Sequence, residues 1–154
     1  MFYPCINIEF GNLFTEYFVP IITVTLAIFL YERENKRTHE IALRDKLNEI
    51  LKIAFEHPYL ENPDFIAKWS PKKYKKDKRY EKYEIYAILI FNHLEDLAKY
   101  CKYKPDRMSA VLDYESWALE HKWYWLKPSS CNENEKGYNK KFVTIINKLI
   151  QEDK

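Results

Sequence analysis

The sequence predicts an all-α protein: a transmembrane helix over residues 10–31 that continues into a stalk helix, followed by a small cytoplasmic helical bundle. Three observations carry that expectation. An apolar block free of lysine and arginine lies near the N-terminus. Apolar residues then recur at three- and four-residue spacing through most of the remaining chain. No stretch alternates with the two-residue period of a strand or carries a hairpin dipeptide.

Composition bounds the answer. A length of 154 residues suits one domain and leaves no room for two well-cored ones. Only two glycines occur, which excludes collagen-like sequences, glycine-rich linkers and glycine-looped phosphate sites. With 47% hydrophobic and 17% aromatic residues, the chain is not disordered over most of its length. Its 25 basic and 23 acidic side chains leave +2, and its mean hydropathy is −0.54. Both figures average over unlike regions.

The first element is the apolar block. Residues 10–31 read FGNLFTEYFVPIITVTLAIFLY, and the uncharged part runs from Tyr17 to Tyr31. Those 15 residues make roughly 22 Å of helix, short of a bilayer core of about 30 Å. Extension back to Phe10 gives 22 residues and places Glu16 in the outer interfacial zone. Pro20 falls one turn inside, where its missing N–H does least harm, and Tyr17, Phe18 and Tyr31 mark the two ends. No basic start or small-residue cleavage site is present, so the block reads as an uncleaved anchor. A buried helix or strand through Ile21–Thr25 is the competing reading. Residues 1–16 carry no Lys or Arg, whereas Arg33, Lys36, Arg37, Arg44 and Lys46 follow the block. The positive-inside rule then predicts the inner (plasma) membrane, residues 1–9 as a short exterior tail, and residues 32–154 as a cytoplasmic domain.

The stalk follows. Leu43, Leu47, Ile50, Leu51, Ala54 and Phe55 share one helical face, and Pro58 ends it. Asn62-Pro63-Asp64 reads as a helix start, with Asn62 as N-cap and Phe65, Ile66 and Trp69 as the buried side. The strongest periodicity runs from Tyr83 through Tyr86, Ala87, Ile90, Leu94, Leu97 and Ala98 to Cys101, predicting a helix from about Arg79 to Cys101. Pro105-Asp106 opens a helix carrying Met108, Val111, Leu112, Ala118 and Leu119. Pro128 to Gly137 reads as polar loop. Tyr138, Phe142, Ile145, Ile146, Leu149 and Ile150 predict a last amphipathic helix.

Several features bear on function. From Lys68 to Lys82, eight basic residues face only Asp77 and Glu81, a local charge of +6 that leaves the rest of the chain at −4. Lys72, Lys73, Lys75, Lys76, Lys78 and Arg79 suit anionic lipid, at roughly 1 kcal/mol per basic residue near the surface. They suit nucleic-acid phosphates equally, with Tyr74, Tyr80 and Tyr83 offering stacking faces; a plain solvated loop is the third reading. Trp117, Trp123, Tyr124 and Trp125 form an aromatic cluster that either fills a core, cages a ligand or anchors a partner protein.

Histidines 39, 57, 93 and 121 and cysteines 5, 101 and 131 show no zinc spacing, so the sequence implies no metal, no cofactor and no disulfide framework. Local acid–base pairs are Glu56-His57, His93 with Asp96, and Glu120-His121, none with a visible nucleophile. One segment, Arg33-Glu-Asn-Lys-Arg-Thr-His39, resembles the Arg–(four to six residues)–His motif of the helical ribonucleases of prokaryotic defence and toxin systems. That resemblance implies RNA cleavage by Arg33 and His39. The residues themselves favour a non-catalytic, membrane-anchored interaction or effector module whose partners are the bilayer and a protein or a second copy. A soluble helical module burying residues 18–31 is the remaining alternative.

Overall fold

The computed structural model describes residues 14–74, 76–129 and 134–153. All their regular structure is helical, with no strand among the described residues, as the apolar spacing predicts. The chain divides into two compact units, Met1–Ile41 and Ala42–Lys154.

A π-helical turn at Phe14–Phe18 leads into α1 (Val19–Glu56), which contributes to both units. Every position from 16 to 42 is exposed. The expected transmembrane helix is not found in that form: among the described residues no helix is long and apolar enough to cross a membrane. The reason lies in where the α-helix begins. Only 13 uncharged residues, Val19 to Tyr31, precede Glu32, supplying about 20 Å of α-helix. Residues 10–13 of the expected span lie outside the described residues, as do the 1–9 tail and Cys5.

In the second unit α1 buries Ile50 and half-buries Leu43, Leu47, Ile53 and Ala54. Leu51 and Phe55, placed on the same face by sequence, instead point to solvent, Phe55 being 87% exposed. The buried line follows 43, 47, 50 and 54, and positions 51 and 55 fall on its shoulder. After α1, a 3₁₀ turn at Pro58–Glu61 buries Leu60. α2 (Pro63–Ile66) starts where expected: the Asn62 side chain accepts from the Phe65 N–H at 3.0 Å. Ile66 and Trp69 are buried, and α3 (Pro71–Tyr74) follows.

α4 (Lys78–Tyr100) is the centre of the core, with eleven buried residues. Asp77 caps it by accepting from the Arg79 N–H at 2.9 Å. Its end is a Schellman arrangement: Tyr103 N–H donates to the Ala98 carbonyl and Lys102 N–H to that of Lys99, with Lys102 and Tyr103 at φ 56° and 57°. No glycine supplies the left-handed turn, so two side-chain-bearing residues adopt it.

The helix expected from Pro105 through Leu119 is two helices, α5 (Pro105–Ser109) and α6 (Tyr114–Glu120). Asp113 divides them, its carboxylate accepting from the Ser116 N–H at 3.2 Å and so starting a new helix rather than continuing the old one. α7 (Lys122–Leu126) follows after His121, and α8 (Asn134–Gly137) lies within the expected loop. α9 (Lys140–Glu152) is capped by Asn139, packs on α6, and buries Phe142, Ile146 and Ile150 at four-residue spacing.

Candidate functional site

Among the described residues, a group of three acid–base side chains comes together at the core. Glu61 ends the 3₁₀ turn, Glu120 ends α6, and His121 occupies the joint between α6 and α7. Pro58 fixes the turn that carries Glu61, and the break between α6 and α7 turns the His121 ring inward. One donor atom from each residue lies within 4.8 Å of the other two.

The surrounding groups hold these side chains in place. His121 is fully buried, and its Nδ1 lies 3.1 Å from the Tyr83 hydroxyl. Its Nε2 has no hydrogen-bond partner and faces Glu61 Oε1 at 3.7 Å, beyond hydrogen-bond reach but within that of an ion pair. The Tyr86 hydroxyl donates to the same Glu61 oxygen. Tyr83 and Tyr86 lie three apart on α4, so one helix face supplies both hydroxyls. Glu61 keeps 29% of its side chain exposed, which opens this side of the group to water.

The two carboxylates differ in their ease of ionisation. Burial pushes the Glu61 carboxyl up, but His121 and the Tyr86 hydroxyl outweigh it, and the net shift is downward. Burial followed by the charge of Glu61 raises Glu120, with His121 opposing. Burial first, then the Glu61 carboxylate, raises the Tyr83 and Tyr86 hydroxyls, so both remain protonated. The arrangement is one ionised carboxylate, a second that holds a proton more readily, and an imidazole nitrogen turned toward them. Such a group suits a cation.

The sequence-selected residues are placed as follows. Lys72, Lys73, Lys76, Lys78 and Arg79 are exposed; Arg79 is engaged with Asp77 at 2.7 Å, and Lys75 lies outside the described residues. Tyr124 and Trp125 are buried in the core, and Trp117 and Trp123 are half-buried. Lys122 and Lys127 stand over the Trp123 ring at 5.8 and 5.3 Å. Arg33 and His39 are exposed on α1, about 9 Å apart along the axis and about 120° apart around it. Cys101 is buried, where desolvation raises its thiol; Cys131 lies outside the described residues.

His93 and Asp96 do not form a pair on the surface. His93 is buried against Trp117 with Nδ1 unpartnered, while Asp96 takes Lys46 at 2.5 Å. Burial holds the His93 imidazole below its ordinary 6.5, Asp96 partly opposing and Lys46 reinforcing. The folded state thus prefers the neutral ring, and the unfolded chain takes up the proton first. Stability contributed by His93 is complete above pH 6.5 and declines as the pH falls through the lowered folded value. The expected result is a thermal midpoint that drops on acidification from pH 7 to 5, and drops less in His93→Gln. An identical slope in the two proteins refutes it.

No protein-family model matches the chain, and comparison with curated proteins and with solved structures finds no match.

Proposed function

We propose that this protein is a membrane-anchored, non-catalytic interaction or effector module. Segment 10–31 spans the inner membrane with the N-terminus outside, and the unit from Ala42 onward acts at the cytoplasmic face. One observation carries the reading. Eleven large apolar side chains between Tyr17 and Tyr31 are each 46–71% exposed, so no side of this helix is covered. A helix that packs on a protein surface needs one apolar stripe, whereas a helix surrounded by lipid is apolar all round. Water tolerates contiguous apolar patches of only a few hundred Å².

Three further features support it. The Thr23 and Thr25 hydroxyls donate to the carbonyls of Val19 and Ile21 at 2.8 Å, meeting the demand of hydrocarbon that polar groups be satisfied within the helix. The 22 residues of 10–31 extend to about 33 Å when helical, with Glu16 near one interface. Arg33, Lys36, Arg37 and Arg44 follow the apolar run and are exposed, in keeping with a cytoplasmic flank. The exposed lysines between Lys72 and Lys78 suit the anionic inner leaflet.

Washing cell membranes at high pH tests the anchor. The full chain is expected to stay in the membrane pellet. Release into the supernatant overturns the reading in favour of a peripheral protein or one whose apolar helix is covered by a protein partner.

A further inference from the structure

We propose that Glu61, Glu120 and His121 form a binding site for a divalent first-row transition-metal ion of the zinc or manganese class. His121 Nε2 and one oxygen from each carboxylate are the ligands. Nothing in the anchoring role calls for this group, and two stretches some sixty residues apart, Glu61 and the adjacent pair Glu120-His121, converge to make it.

The carrying observation is the fully buried imidazole whose Nε2 has no hydrogen-bond partner and faces a carboxylate at 3.7 Å. A buried ring nitrogen left unpaired is unfavourable, and a cation between it and the carboxylates satisfies all three groups. The donor atoms already lie within 4.8 Å of one another. Ligands about 2.1 Å from a zinc ion stand about 3.4 Å apart in a tetrahedron, so closure requires shifts of about 1 Å by flexible carboxylates.

The supporting shell is that of a metal centre. A ligating histidine has its second ring nitrogen held by a hydrogen bond, which fixes both tautomer and ring plane. Here the Tyr83 hydroxyl takes Nδ1. If Nδ1–H donates to that hydroxyl, the Nε2 lone pair is the atom turned toward the carboxylates. Ligating carboxylates are likewise held, and the Tyr86 hydroxyl holds Glu61. One imidazole with two carboxylates, and no thiolate in the group, selects zinc, manganese or iron(II) over copper(I), and the imidazole disfavours magnesium and calcium. Three protein ligands leave a position for water on the open Glu61 side.

The test uses the full chain in detergent, stripped with EDTA and titrated with zinc chloride or manganese chloride. One ion per chain is expected to bind, and zinc is expected to raise the thermal midpoint. Glu61→Gln and Glu120→Gln each weaken binding, the double variant abolishes it, and Tyr86→Phe weakens it about tenfold through loss of the supporting hydrogen bond. The midpoint of each variant in EDTA shows whether its fold is intact. X-ray absorption of the zinc-loaded wild-type chain reads the ligands without any substitution; a shell of oxygen and one imidazole is expected. Absence of binding by both metals overturns the proposal, as does a sulfur ligand or undiminished affinity in a folded double variant.

Discussion

Replacing Leu26 by arginine is expected to move much of the protein out of alkali-washed membranes, and replacing Ile22 as well is expected to move nearly all of it. Both residues lie in the exposed apolar run of α1, Leu26 near its middle. An arginine at the centre of a membrane helix is unfavourable by about 2.5–3.5 kcal/mol on insertion scales, and leucine is favourable there by about 0.5 kcal/mol. The single exchange thus weakens insertion by about 3–4 kcal/mol, more than a hundredfold. Both positions belong to the unit Met1–Ile41, so the thermal midpoint of the unit from Ala42 onward should not change.

Leu26→Thr separates lipid from a protein partner. Thr23 and Thr25 already return their hydroxyls to the helix backbone, and a third threonine can do the same. A lipid-surrounded helix accepts that exchange with little loss. A close-packed protein interface loses a buried leucine and weakens by about 1.5–3 kcal/mol. Retention of Leu26→Thr together with release of the arginine variants is the expected pattern. Release of both variants, or of neither, refutes insertion.

How far these features were legible in the sequence depended on the range over which each is determined. α4 was readable because its buried residues repeat at three and four positions along one continuous helix. The Asn62 cap was readable for a similar reason, since cap, proline and first turn are adjacent. The division at Asp113 was not, because an aspartate inside a periodic run is compatible both with a solvent-facing helical position and with a new N-cap. The stripe of α1 was displaced by one shoulder, because periodicity gives the spacing of a buried line but not which neighbours its partners cover.

The cation group shows the same limit more sharply. Glu120 and His121 are adjacent and visible as a pair. Glu61 lies some sixty residues earlier, in a turn whose direction depends on Pro58 and on how Leu60 packs. Tyr83 and Tyr86 carry a correct helical spacing, but that spacing announces burial and is silent about hydroxyls. A mixed site assembled from five residues on three segments leaves no short motif, so spacing rules for zinc had nothing to detect.

The aromatic cluster yields the second large effect. Trp125→Ala is expected to destabilise the protein by about 3–5 kcal/mol, in the upper range for core truncations. The indole is 3% exposed and meets the Phe91, Tyr138 and Phe142 rings at centroid distances of 4.8, 5.5 and 5.9 Å. Its Nε1–H donates to the Asn147 side chain at 2.8 Å, which ties α7 to α9. Truncation therefore removes ring packing on two helices and leaves an amide without this donor. Against a typical total of about 5–15 kcal/mol, that loss is enough to lower the thermal midpoint by more than ten degrees. Trp125→Phe retains most of the ring contact and should recover most of the loss, leaving roughly the 1–2 kcal/mol of the hydrogen bond. Trp123→Ala should be milder, since that ring is half-buried and its two lysine neighbours contribute about 0.5–1 kcal/mol each. A tryptophan kept for docking a partner would show the opposite order: Trp125→Ala would leave stability within about 0.5 kcal/mol of wild type. Chemical denaturation of the three variants decides between a core and a docking surface, and the geometry of Trp125 predicts a core.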